Sequence, residues 1–107
     1  MKNVIQNLNK TFDNKVRLGI MAALTVNAKL SFVDIKNLLE LTDGNLASHL
    51  KALEKAEYIL VAKLFINRKP NTTYKITELG KKEFEAHLKA LEELINQQNT
   101  VRPSENG

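Results

Sequence analysis

Residues Thr42 to Thr77, TDGNLASHLKALEKAEYILVAKLFINRKPNTTYKIT, constrain this chain more than any other stretch. They read as a short amphipathic helix, a strand, a basic turn and a second strand in immediate succession. On the helix, Leu46, Leu50 and Leu53 recur at i, i+4 and i+7, which gathers them on one buried stripe. At about 100° per residue the opposite face presents Gly44, Ser48, Lys51, Ala52 and Lys55, with Asn45 and His49 on one flank. That face is small, polar or basic, and free of bulk near its N-terminus. A helix that lies deep in a groove needs this profile.

Ile59 to Ile66 is an apolar, β-rich run, and Thr72 to Thr77 is a second, with Tyr74 and Ile76 on one face. Asn67-Arg-Lys-Pro-Asn71 between them is a turn by composition. The hairpin carries Lys63, Arg68, Lys69 and Lys75 and no acid. Residues 78–95, by contrast, hold five acids and three bases, a net of −2, so the rest of the +4 chain carries +6. A focused basic patch suits a polyanion better than a uniformly basic surface does, although lysines also simply keep hairpins solvated.

The remaining sequence bounds the answer. At 107 residues the chain is one domain with a modest core. No run approaches the roughly 18 apolar residues that cross a bilayer, and the N-terminus lacks the apolar core of a secretory signal. Cysteine is absent, which excludes disulfides and thiolate metal sites. A cytoplasmic location is expected.

Ile5, Leu8 and Phe12 are spaced for a short helix before Asp13. Asp13 is placed to cap a second helix with Val16, Ile20, Ala23 and Leu24 inward, broken at Asn27-Ala-Lys. Ser31 and Asp34 form a capping-box pair opening a helix that buries Ile35, Leu38 and Leu39 and ends at Leu41. Thr42 or Asp43 caps the groove-shaped helix, which runs to about Ala56, and capping is the role expected of Asp43. Thr77 caps a long helix to about Asn96 with Phe84, Leu88, Leu91, Leu94 and Ile95 in its apolar stripe. The predicted fold is mainly α with a small β-hairpin (α+β), a winged helix-turn-helix over residues 1–96, with 97–107 a disordered polar tail.

LSFVDIKNLLELTDGNLASHLKALEKAEYI followed by RKPNTTYKITELGKK resembles the winged-helix DNA-binding regulators related to the MarR and ArsR groups, over residues 13–95. One departure is Glu57, where such proteins often place a glycine. The resemblance implies double-stranded DNA as partner, with helix 43–56 in the major groove and wing 67–71 at the minor groove or backbone. Gly44 would permit close approach, while Asn45, Ser48 and His49 reach base edges. Lys51, Lys55, Lys63, Lys69, Thr72 and Lys75 would bind phosphates, and Arg68 would enter the minor groove. Ser31 and Lys36 are weaker backbone candidates. The long helix has more apolar residues than so small a core needs. Ile5, Leu8, Phe12, Phe84, Leu88, Leu91, Leu94 and Ile95 are therefore expected to form a C2 homodimer interface, as the resemblance also implies, and the operator to be pseudo-palindromic. Repression is the family's usual mode.

Other classes fit less well. Glu83 and His87 share a helix face, but two ligands per subunit make a poor metal site, and His87 reads as a packing residue. No nucleophile–base pair or Gly-rich phosphate loop suggests an enzyme. No cofactor is expected, and no effector pocket is identifiable. A winged helix used only for protein contacts is the main alternative. RNA is disfavoured for want of exposed aromatics on the hairpin.

Overall fold

The computed structural model describes residues 4–100, with side chains through Gln97. Two short 3-10 turns, Val4–Asn7 and Lys10–Phe12, stand where one helix was expected. Four α-helices follow, α1 (Lys15–Val26), α2 (Phe32–Leu39), α3 (Asp43–Lys55) and α4 (Glu78–Thr100), with strands β1 (Leu30–Ser31), β2 (Ile59–Ile66) and β3 (Lys69–Ile76). The strands form one antiparallel sheet in the order β1-β3-β2. The two-residue β1, which pairs Leu30 with Tyr74 and Ser31 with Thr73, was not foreseen. This is the winged-helix α+β arrangement.

Caps set most boundaries. Asn14, one residue later than expected, caps α1 by accepting from the Val16 and Arg17 N–H groups at 2.9 and 3.1 Å. Asp13 instead closes the preceding 3-10 turn through its own N–H to the Lys10 carbonyl. The Ser31–Asp34 capping box forms as expected, at 3.0 and 3.1 Å in its two directions. α2 stops at Leu39 because Glu40 turns left-handed at φ 54°. Its inward stripe is Phe32, Ile35 and Leu39, so Leu38, expected inside, falls to one side and is 58% exposed.

α3 buries Leu46, Leu50 and Leu53 almost completely. Its end is a Schellman closure, with Tyr58 N–H on the Leu53 carbonyl and Glu57 N–H on that of Glu54. Glu57 occupies the left-handed position at φ 64°, where glycine is the low-cost residue. Thr77 then ties three elements together. Its hydroxyl donates to the Glu57 carbonyl at 2.7 Å and accepts from Gly80 N–H at 2.8 Å, while its own N–H reaches the Tyr58 carbonyl at 3.0 Å. A side chain at Gly80 would collide with that same Tyr58 carbonyl.

The core runs between α1, α2, α3, the sheet and the start of α4. Phe12, only 1% exposed, packs ring against ring with Tyr58, Phe84 and His87 at 5.3, 5.5 and 5.3 Å. Phe12 and Phe84 therefore belong to the chain's own core, not to a surface awaiting a partner. The N-terminal 3-10 turns lie along α4, which runs past Asn96, so residues 97–100 are helical rather than tail. Residues 101–107 of the expected tail lie outside the described residues.

His87 is buried and its Nδ1 accepts from Asn9 N–H at 2.9 Å, which places the ring proton on Nε2. Burial pushes its pKa below the ordinary 6.5, with Asp13 acting the other way. The unfolded chain therefore binds this proton more readily than the folded one, so stability is complete above about 6.5 and declines as pH falls below it. Urea titrations at pH 7.5 and 5 check this: acid should lower the midpoint in the parent, and less so in His87→Gln, whose amide oxygen can still accept from Asn9. His49, shifted the same way, leaves a residual slope. Gly80→Ala should cost about 3 kcal/mol by overpacking against backbone, read as a lower thermal midpoint.

Candidate nucleic-acid interface

The first turn of α3 is an open ridge. Thr42, not Asp43, is its cap, accepting Asn45 N–H at 3.2 Å. Asp43 is the first helical residue and its carboxylate pairs with Lys36 at 2.8 Å, so the amine of Lys36 is engaged across the α2–α3 turn. Gly44, Asn45, Ser48, Lys51 and Lys55 are all exposed. Ala52, expected outward, is half-buried. A Cβ at Gly44 would meet nothing within 4 Å, and its backbone is not left-handed. Glycine in a helix costs about 1 kcal/mol relative to alanine. No contact within the described residues accounts for a glycine here.

His49 does not stand free on the ridge. It is half-buried, and its Nδ1 lies 3.1 Å from Nη1 of Arg17 on α1. Arg17 Nε also donates to the Thr11 carbonyl at 2.6 Å. Burial, then the Arg17 charge, lowers the His49 pKa. Reading the sequence missed Arg17, because the partners lie 32 positions apart and no local pattern links them.

The wing is tighter than its composition suggested. Ile66 pairs with Lys69, leaving a two-residue loop of Asn67 and Arg68, and Lys69, Pro70 and Asn71 join β3. Both loop residues are left-handed, at φ 51° and 65°, the signature of a type I′ turn. Such turns favour Asn-Gly. Here Arg68 holds the glycine position, at a steric cost of about 1–2 kcal/mol. Pro70 opposes Phe65 in the next pair, which in such a hairpin is not hydrogen-bonded, so the missing N–H leaves no gap in the ladder.

The strand register divides the basic residues expected to act together. Lys63 and Thr72 face each other on the side that carries Val61 and Tyr74. Lys69 and Lys75 lie on the other side, opposite Ile66 and Leu60. The hairpin also exposes Leu60, Leu64, Ile66 and, at 79%, Phe65. An aromatic is therefore displayed on the wing, contrary to expectation, although one ring is no stacking platform for successive bases.

Away from the ridge, Glu83 and His87 meet through Asn9 rather than a metal: Asn9 Nδ2 lies 3.4 Å from Glu83 Oε1, and the His87 Nδ1 lone pair is already taken. Among the described residues no three His, Asp or Glu side chains converge, and no helix is long and apolar enough to cross a membrane.

Residues 16–95 match the model of a family described as the winged helix DNA-binding domain. The chain belongs to that family. It is 37% identical over 79 residues to an uncharacterized protein of Methanocaldococcus jannaschii, covering 74% of this chain and 86% of the relative. A transcriptional regulator homologue from Pyrococcus horikoshii superposes with a TM-score of 0.77 at 36% identity, over 82% of this chain and 87% of the other. PadR of Bacillus subtilis, solved in complex with operator DNA, shares the fold with a TM-score of 0.63 at 20% identity, over 70% and 48% of the two chains. The winged-helix DNA-binding resemblance read from the sequence thus holds, and the family is one of DNA-binding regulators, not of enzymes.

Proposed function

We propose that the protein is a cytoplasmic, sequence-specific regulator that binds a double-stranded operator as a homodimer and represses transcription from it. α3 lies in the major groove, with Asn45, Ser48 and His49 at base edges and Lys51 and Lys55 on phosphates. Arg68 enters the adjacent minor groove. Lys63, Thr72 and Lys69 serve the backbone, and Lys75, at the foot of the hairpin, contributes least. The observation that carries this reading is Arg68, kept in a left-handed turn position where glycine would be more stable. The operator complex of PadR, built on the same fold, supports it.

For the dimer, the surface is narrower than the sequence suggested. Phe12 and Phe84 are removed from it, leaving Leu88, Leu91 and Ile95 exposed on α4, with Ile5 exposed and Leu8 and Leu94 half-buried nearby. Ile5, Leu8, Leu18 and Leu91 line an open groove of about 710 Å³ that a two-fold partner could fill. Two recognition helices would then meet major grooves about 34 Å apart on a pseudo-palindrome.

A second reading, a winged helix used for protein contacts alone, draws on the exposed Leu64, Phe65 and Ile66. Selection from a random DNA pool separates the two, since retention of a palindromic site is expected only of the regulator. Arg68→Gly should keep or slightly raise the melting temperature while weakening DNA binding and lowering the salt slope by about 1. A slope equal to the parent's in an anisotropy titration contradicts a charge role for Arg68. Leu91→Glu should shift the sedimentation coefficient from dimer to monomer. A parent protein monomeric at micromolar concentration removes the dimer.

A further inference from the structure

Arginine carries only donors, so the contact between Arg17 Nη1 and His49 Nδ1 at 3.1 Å has one chemical solution. His49 Nδ1 must present its lone pair, and the neutral ring then carries its proton on Nε2. Arg17 is itself held in place by its second bond, from Nε to the Thr11 carbonyl at 2.6 Å. His49 sits one helical turn after Asn45, on the flank of the exposed ridge. We infer that Arg17 is a positioning residue that fixes His49 as a donor-only reader of guanine in the major groove. The inference rests on the DNA-binding reading above and adds to it a base class and a residue outside α3.

The choice of base follows from the groove edges. A histidine free to switch tautomer can either donate or accept, and so discriminates poorly. With Nδ1 occupied, only an N–H remains to face the DNA. Guanine offers two neighbouring acceptors, N7 and O6, so a single donor finds a partner over a wide angle. Adenine sets an amine donor beside its N7, thymine sets a methyl beside its O4, and cytosine shows a donor alone. Burial and the Arg17 charge also keep the ring neutral, which preserves the lone pair that Arg17 needs.

Two measurements test this. Long-range proton–nitrogen spectra of the free, nitrogen-15-labelled protein should show His49 with a protonated Nε2 and a bare Nδ1, and Arg17→Met should give a mixture of tautomers. Selection from a random duplex pool should then enrich guanine at one position per half-site. His49→Ala should lose that preference. Arg17→Met should relax it on the order of tenfold, with Arg17→Lys restoring part of it. Replacing that guanine by 7-deazaguanine should weaken the parent protein and leave His49→Ala unmoved. Melting curves of both Arg17 variants show whether the loss of the Thr11 contact has disturbed the fold, and Arg17→Lys keeps a donor there if it has. An Nδ1-protonated or mixed His49 in the parent overturns the lock. A selected position that holds an A·T pair, or that ignores Arg17→Met, overturns the guanine assignment. If the parent retains no duplex at all, the DNA-binding reading fails and base reading by His49 fails with it. The nitrogen shifts still report separately on whether Arg17 sets the tautomer.

Discussion

One hydroxyl organises this fold. Thr77 joins the end of α3, the foot of the hairpin and the first turn of α4, because its side chain bonds both the Glu57 carbonyl and Gly80 N–H. Each of these groups is an orphan of a helix end, one a carbonyl past the close of α3 and the other an amide at the start of α4. Satisfying both through one atom fixes where α3 stops and where α4 begins. The close approach at Gly80 follows from the same geometry, since no β-carbon fits between that turn and the Tyr58 carbonyl. The angle between ridge, wing and α4 is thereby held by short polar contacts and not by apolar packing alone.

Left-handed backbone appears at Glu40, Glu57, Asn67 and Arg68. The first two end helices, and a glycine would serve there at lower energy, so these positions tolerate strain that the surrounding caps impose. Asn67 suits its site, since asparagine adopts this region readily. Arg68 differs. Its long cation gains nothing from the turn it occupies, and no partner for it is visible among the described residues. Gly44 is the complementary case, a residue without a side chain where the structure leaves room for one. One position adds reach and the other removes bulk, and both departures from the stable choice sit on surfaces open to solvent.

The sequence disclosed what is periodic or local. Leu46, Leu50 and Leu53, the Ser31–Asp34 box and the hairpin strands were all legible, because a helical stripe or a cap depends on residues within a few positions of one another. Long-range choices were not. Nothing nearby shows that Phe12 turns into the core against Tyr58, Phe84 and His87, so it looked like part of a docking stripe. The two-residue β1 carries no periodic signal. The wing loop is shorter than composition suggests because Pro70 and Asn71, turn residues by type, lie within a ladder that has already begun, Pro70 at a pair that needs no N–H. Arg17 illustrates the general difficulty: its importance exists only once α1 and α3 are packed.

β2 lies at the border of the sheet, its outer row of amides and carbonyls without a neighbouring strand among the described residues. Eight residues long and rich in aliphatic side chains, it has the makings of a template on which chains would stack edge to edge. Lys63 stands near the middle. Two copies aligned antiparallel about that point would bring ammonium against ammonium, a like-charge clash that disfavours such pairing.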